Sequence, residues 1–191
     1  MKIFRLFVFF ILSVIAVIAL LCFLLPTQQT IRKSIVINTS DTSLYQALQH
    51  LRNVEKIMVW SQQDSTAVYQ YSPTDDSIGS FSSWKGDPFL SGEGKISITG
   101  LLPYKLIQQK IDFTTPKKGT ATASFHLQPI EKNETKVTWQ FSLSTPRPRN
   151  IFNLFAHIED KMGTDFEKGL QRLKKIMEVK DSVEEEKVIN K

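Results

Sequence analysis

Aromatic side chains that alternate with polar residues are the strongest indication of a ligand site in this sequence. The residues concerned are Tyr71, Phe81, Trp84, Phe113, Phe125, Trp139, Phe141 and Phe155. Aromatic surfaces commonly line pockets for apolar small molecules, and a buried Tyr or Trp also needs a hydrogen-bond partner. We therefore predict that these residues, together with Met162 and Gly169, line a ligand cavity. The alternative is that the same side chains only fill a hydrophobic core.

Residues suited to metal or acid–base chemistry are sparse. The three histidines are His50, His126 and His157, and no two of them have the spacing of a metal-binding pair. His126 alternates away from the apolar face of its segment, which predicts exposure. His157 lies at the edge of an apolar helical stripe, which favours a hydrogen-bonded position at the edge of the core. The sequence predicts no catalytic residue, no metal and no cofactor.

The charge pattern argues against nucleic acid as a partner. The formal net charge is +5, and the 24 basic and 19 acidic residues are interleaved along the chain. Short basic clusters occur at 117–118 and 172–175, without a long basic run or a nucleic-acid-binding motif. We predict a solvated, mildly cationic surface that attracts anionic lipid headgroups weakly.

Residues 6–25 contain no charged side chain and are predicted to cross a membrane, within an anchor segment at 1–26. Such a helix spans about 30 Å, the thickness of the hydrocarbon core. A cleaved signal peptide is the competing interpretation, but its apolar part is shorter and small residues mark the cut. Lys2 and Arg5 favour a cytoplasmic N-terminus and an extracytoplasmic domain, although Arg32 and Lys33 weaken that preference. Cys22, the one cysteine, is interpreted as a membrane-core residue.

Residues 27–180 are predicted to form one domain, followed by a charged tail at 181–191. Alternation predicts strands at 30–38, 67–72, 78–85, 95–99, 104–115, 120–128 and 136–144. Two short helices capped by Ser40 or Asp41 follow the first strand, and a long amphipathic helix begins at Asn150 as its N-cap. This order predicts an α+β helix-grip fold, in which a curved antiparallel sheet of about seven strands surrounds the terminal helix. Gly169 indicates either a close approach of the sheet or space for a ligand.

Six short segments carry a resemblance to a known family. They are RKSIVIN at 32–38, FSSWKG at 81–86, GEGKISI at 92–98, ATASF at 121–125, TKVTW at 135–139 and DFEKGL at 165–170. In this order and spacing the chain resembles the START-related SRPBCC superfamily, in particular polyketide cyclase/dehydrase-like members with an N-terminal membrane helix. The resemblance implies an apolar cavity between the sheet and the long helix. The segment at 52–60 lacks the Trp-Pro-rich sequence that such members often carry, so the rim of the cavity is expected to differ.

The first functional hypothesis is a membrane-tethered, non-catalytic binding module for an apolar small molecule or lipid. Its partners would be the bilayer, through residues 6–25, and the ligand. A second hypothesis is a cyclase- or dehydratase-type enzyme that uses a Glu, Tyr or His of the cavity for acid–base chemistry. A third is a structural or partner-binding domain with a filled core.

Overall fold

The apolar N-terminal segment forms one long helix that projects from the rest of the chain. The computed structural model describes residues 2–154 and 157–189. Helix α1 (Lys2–Leu24) has 23 residues, of which only Cys22 is buried. By length and composition α1 is able to cross a membrane. At 1.5 Å per residue it is about 35 Å long, somewhat more than the hydrocarbon thickness.

A seven-stranded antiparallel sheet forms the body of the domain. The strands are β1 (Gln28–Ile37), β2 (Val68–Tyr71), β3 (Phe81–Lys85), β4 (Glu93–Leu102), β5 (Leu106–Thr115), β6 (Gly119–Glu131) and β7 (Glu134–Ser144). Their spatial order is β1-β7-β6-β5-β4-β3-β2, so a meander is closed by the first strand pairing with the last. Register shifts between β4 and β5 accompany the curvature of the sheet. The predicted fold class is confirmed.

Three short helices, rather than the predicted two, connect β1 to β2. They are α2 (Asp41–Gln49), α3 (Leu51–Ile57) and α4 (Val59–Gln63). Ser40 is the N-cap of α2, and its side-chain oxygen accepts a hydrogen bond from the Ser43 backbone N–H at 3.1 Å. His50 and Met58 have extended backbone angles, which end one helix and redirect the next.

The C-terminal helical region is interrupted, which corrects the prediction of one helix that begins at Asn150. A 3-10 turn (Arg149–Leu154) comes first, and the long helix α5 covers Ile158–Ile189. Asn150 does not cap α5, because its Nδ2 donates hydrogen bonds to the carbonyl oxygens of Cys22 at 2.7 Å and Leu25 at 3.0 Å. These carbonyls at the end of α1 have no partner within their own helix. Helix α5 also extends into the predicted tail, where the sequence has neither Gly nor Pro.

Cys22 also lies elsewhere than predicted. Its side chain is buried against the domain, where Sγ is 3.5 Å from the carbonyl oxygen of Pro148. The interpretation of Cys22 as a membrane-core residue is therefore wrong, because it belongs to the junction between α1 and the loop before the 3-10 turn.

Helix α5 packs its apolar face directly on the concave side of the sheet. The Phe166 ring lies 4.4 Å from the Trp139 ring and 5.4 Å from the Phe141 ring, measured between centroids. At Gly169 the approach is closer still, since an added Cβ would lie 2.8 Å from both the Ile57 carbonyl oxygen and the Trp139 ring. Of the two explanations for Gly169, the structure shows the close approach of the sheet.

Two glycines of α5 give a matched test of this contact. We expect Gly169→Ala to destabilise the protein by about 1–2 kcal/mol, because the overlap of the added methyl group with its neighbours costs more free energy than the higher helix propensity of Ala provides. At Gly163 an added Cβ would meet only the flexible side chains of Lys33 and Glu159, at 3.3 and 3.4 Å. Gly163→Ala should therefore stabilise by about 0.5–1 kcal/mol. Thermal unfolding of the detergent-solubilised full chain measures both, and a Gly169→Ala variant as stable as Gly163→Ala would contradict the close contact.

Candidate functional site

The middle of the concave face is filled by side chains. Phe125 and Trp139 stack with their ring centroids 5.1 Å apart, and both are almost fully buried. Trp139 Nε1 is buried without a hydrogen-bond partner among the described residues. Together with Gly169 these residues form the contact between sheet and helix, so they occupy the core instead of lining open space.

A cleft of about 340 Å³ lies between the start of α5, the sheet and the loop at 86–92. Four of the predicted residues line it, namely Trp84, Phe113, Phe141 and Met162, and Trp60 of α4 joins them. Its volume falls within the range of about 300–1,000 Å³ that is usual for small-molecule pockets. The cleft therefore has the size and the apolar lining for a compact organic ligand.

The wall of this cleft is fixed by the contacts of Trp84. The Trp84 and Phe113 rings meet edge to face at 6.0 Å between centroids, and Trp84 Nε1 donates a hydrogen bond to the Ser91 carbonyl oxygen at 3.0 Å. Gly94 lies opposite Trp84 in the ladder, and a Cβ there would be 2.6 Å from the indole. The missing side chain of Gly94 thus gives the indole its place beside the cleft.

Asp64 holds the loop at 86–92, which forms one lip of the cleft. Its Oδ2 accepts hydrogen bonds from the Asp87 backbone N–H at 2.9 Å and from the Ser91 hydroxyl. Its Oδ1 accepts from the backbone N–H and hydroxyl of Thr66 at 3.0 and 2.6 Å. These hydrogen bonds, that of Ser91 first, hold the pKa of Asp64 well below its ordinary value. The lip is therefore tied to the end of α4 by a carboxylate.

A buried carboxyl group, Glu55, lies behind the aromatic wall. Glu55 is 9% exposed, and its two oxygens accept hydrogen bonds from the hydroxyls of Tyr71 (2.5 Å) and Ser82. Burial raises the pKa of Glu55 above its ordinary value, and the two hydroxyls oppose that rise. Burial, followed by the bond to Glu55, raises the pKa of Tyr71 as well.

A gap of about 10 Å³ separates Glu55 from the cleft, enough for about one water molecule. Its lining includes Glu55, Ser61 and Tyr69, and it shares Trp60, Trp84 and Phe113 with the cleft. The aromatic wall thus has an apolar side toward the cleft and a polar side toward Glu55. Sequence reasoning missed this carboxyl group. Its position in α3, four residues after buried Leu51 and next to buried Val54, was the available signal.

Two predicted lining residues lie away from the cleft. Tyr71 bonds to Glu55 and packs beneath the Arg52 guanidinium, 3.7 Å from the ring centroid. Phe81 lies on the outer face of β3, with the Lys95 ammonium 4.0 Å from its ring. The prediction for Phe81 is corrected because Ser82 and Trp84 occupy the inner face of that strand. Phe155 lies outside the described residues.

The histidines occupy three unrelated positions. His50 Nδ1 is 2.9 Å from an Asp75 carboxylate oxygen, and His126 is exposed, as predicted, beside Ser124. His157 is exposed too, so its predicted place at the edge of the core is wrong: the helix begins one residue later and turns the ring toward solvent. Within residues 2–154 and 157–189, no three His, Cys, Asp or Glu side chains are grouped as metal ligands.

Solved structures with the same arrangement include proteins of very different origin. Protein CV1439 from Chromobacterium violaceum is 15% identical, with a TM-score of 0.54, over 78% of this chain and 98% of that chain. A hypothetical protein from Helicobacter pylori is 8% identical, with a TM-score of 0.57, over 78% and 88%. Norcoclaurine synthase from Thalictrum flavum, in complex with dopamine and hydroxybenzaldehyde, is 9% identical, with a TM-score of 0.55, over 76% and 86%.

These neighbours are helix-grip proteins of the Bet v1/SRPBCC type, and the present chain shares that fold. No protein-family model and no curated protein sequence matches the chain. At such low identities the likeness establishes the architecture alone, and the function has to be argued from the cleft.

The buried carboxyl group predicts a specific pH dependence of stability. A carboxyl whose pKa is raised by folding stabilises the protein when it is protonated, and that contribution is lost as the pH rises through the folded pKa. We therefore expect Glu55→Gln to gain stability relative to the wild type between pH 4 and pH 8. Thermal unfolding across that range measures the difference. The exposed variant Glu131→Gln should follow the wild type at every pH, and a Glu55→Gln curve parallel to it would contradict the burial effect.

Proposed function

We propose that this chain is a membrane-tethered binding domain for an apolar or amphiphilic small molecule. The single observation that carries the proposal is the 340 Å³ cleft between α5 and the sheet, lined by Trp60, Trp84, Phe113, Phe141 and Met162. Burial of an apolar ligand surface against such a wall is favourable at about 25 cal/mol per Å². The cleft volume suits a compact ring system or a single chain better than a two-chain lipid.

The fold is compatible with a small aromatic ligand. The norcoclaurine synthase that shares it was solved with dopamine and hydroxybenzaldehyde bound. In the present chain, five aromatic side chains line the cleft, and rings pack edge to face or offset on such surfaces. We therefore include flat, ring-containing molecules in the proposed ligand class.

The junction after α1 supports a retained membrane helix over a cleaved signal. Asn150 binds the carbonyl oxygens of Cys22 and Leu25, and the Arg147 guanidinium donates to those of Cys22 at 3.0 Å and Phe23 at 2.8 Å. Side chains placed to satisfy the last carbonyls of a helix have this use only if the helix stays in the mature protein. With Lys2 and Arg5 at its start, the proposed orientation is N-terminus inside and domain outside.

Glu55 favours a second candidate function, acid–base catalysis on a bound apolar substrate. A carboxyl group whose pKa is raised by burial holds its proton to a higher pH than an exposed one, which suits it to acid–base chemistry. Its position behind Trp84 and Phe113 would require a substrate group, or one bridging water, to reach through the narrow gap. Binding without turnover remains our first proposal, because both carboxylate oxygens already have hydrogen-bond partners.

Filling the cleft should weaken ligand binding. We expect Met162→Trp to weaken binding of the apolar fluorophore N-phenyl-1-naphthylamine to the detergent-solubilised full chain by about tenfold or more, because the indole would occupy the cleft. Fluorescence titration measures the dissociation constant. The control is Ile130→Trp, a 51% exposed position on β6 that does not line the cleft. Equal affinities of the two variants, or no binding by the wild type, would contradict the proposal.

Glu55→Gln distinguishes the two candidate functions. Organic molecules that co-purify with the wild type are identified by mass spectrometry and incubated with each protein. If Glu55 is catalytic, conversion of such a molecule stops in Glu55→Gln while the fluorophore affinity is unchanged. If the domain only binds, the wild type converts nothing and both proteins retain the same molecules.

A further inference from the structure

One end of the sheet brings together the loops that surround the cleft and the end of α1. The ladder pairs that define this end are Gln28↔Ser144, Thr120↔Ser144, Phe113↔Gly119, Glu93↔Thr115 and Lys85↔Glu93. The loops at 86–92, 116–118 and 145–149 therefore lie at the same end of the sheet as the start of β1. We call these loops and the following 3-10 turn (Arg149–Leu154) the proximal rim.

The end of α1 is fixed to the proximal rim by side chains. Arg147 and Asn150 bind the carbonyl oxygens of residues 22, 23 and 25, and Asn153 Nδ2 donates to the Pro26 carbonyl oxygen at 3.2 Å. The remainder of α1 is exposed and projects away from the domain. A bilayer that contains α1 would therefore have its surface next to the proximal rim.

The rim presents large apolar side chains to solvent. The exposed fractions are 95% for Phe89, 54% for Leu90, 65% for Phe152 and 43% for Leu154. Single exposed apolar residues are normal on protein surfaces, but several exposed apolar side chains at one end of the sheet mark an interaction surface. The lip that carries Phe89 and Leu90 is held by Asp64, so these side chains are presented by a fixed loop.

The charges of the rim favour an anionic partner. Lys117, Lys118 and Arg149 lie on its loops and are exposed, while Arg147 is exposed but donates to the end of α1. The nearby acids are engaged, with Asp87 accepting from the Phe89 N–H at 2.7 Å, Glu93 beside Lys85 at 3.5 Å and Asp112 beside Lys110 at 3.0 Å. Basic side chains beside exposed apolar ones match a bilayer surface with anionic headgroups.

We infer that the proximal rim lies on the bilayer, with Phe89 and Leu90 inserted among the lipid headgroups and the basic side chains on the phosphates. Phe89 and Leu90 also line the cleft, so its mouth would open at the membrane surface. A ligand dissolved in the bilayer would then enter without crossing water. This inference rests on the proposed membrane tether. It adds that the domain has a fixed orientation on the bilayer.

Depth-dependent quenching in vesicles tests this orientation with the full chain. In a Cys22→Ser background, Phe89→Cys and separately Leu90→Cys are labelled with the fluorophore NBD and reconstituted into vesicles of phosphatidylcholine and phosphatidylglycerol. Ile130→Cys is the matched control, because Ile130 is 51% exposed at the other end of the sheet. Nitroxide groups on the lipid acyl chains should quench NBD at positions 89 and 90 several-fold more than at position 130.

The outcomes separate the docking from the tether. A further change, Lys117→Glu with Lys118→Glu, should reduce quenching at position 89 in anionic vesicles while the chain still floats with them. If the chain floats with the vesicles but quenching at 89 and 90 equals that at 130, the docked orientation is overturned and the tether stands. If the chain does not float with the vesicles at all, the tether itself is overturned.

Discussion

The contact between Gly169 and the indole of Trp139 holds helix α5 against the sheet, beside the cleft. Because position 169 has no side chain, the helix backbone can approach both the Trp139 ring of the sheet and the Ile57 carbonyl oxygen. Phe125 and Phe166 complete a stacked aromatic core around that contact. Space remains nearer the start of the helix, in the cleft that Met162 and Trp84 line. Phe141 belongs to both regions, because it contacts Phe166 in the core and also lines the cleft.

The regular elements could be predicted from the sequence because each has its own repeat. Alternation in β5, β6 and β7 and the 3.6-residue period of α5 are local properties. The errors have two sources. Asn150 donates a hydrogen bond to the carbonyl oxygen of Cys22, which is more than a hundred residues away in the sequence. No local pattern contains information about such a contact. Phe81 was misplaced for a simpler reason: it lies three residues from Trp84, and an odd spacing puts two residues on opposite faces of a strand.

Glu55 and the cleft share the wall that Trp60, Trp84 and Phe113 form. A carboxylate removed from water is costly unless donors satisfy it, and Tyr71 and Ser82 supply two. Ser82, which bonds to Glu55, and Trp84, which lines the cleft, lie two residues apart on the inner face of β3, and Tyr71 of β2 pairs with Ser82. The cleft therefore has an apolar wall with a polar group directly behind it.

The anchor and the cleft are connected through a short stretch of chain. Arg147 and Asn150 hold the end of α1, and α5 begins at Ile158, whose N–H donates to the Gln29 side chain at 2.8 Å. Gln29 is the second residue of β1, the strand that follows α1. Met162 follows one helical turn after Ile158 and faces the cleft. Residues next to the end of α1 thus fix the start of α5, which is the helix end that borders the cleft.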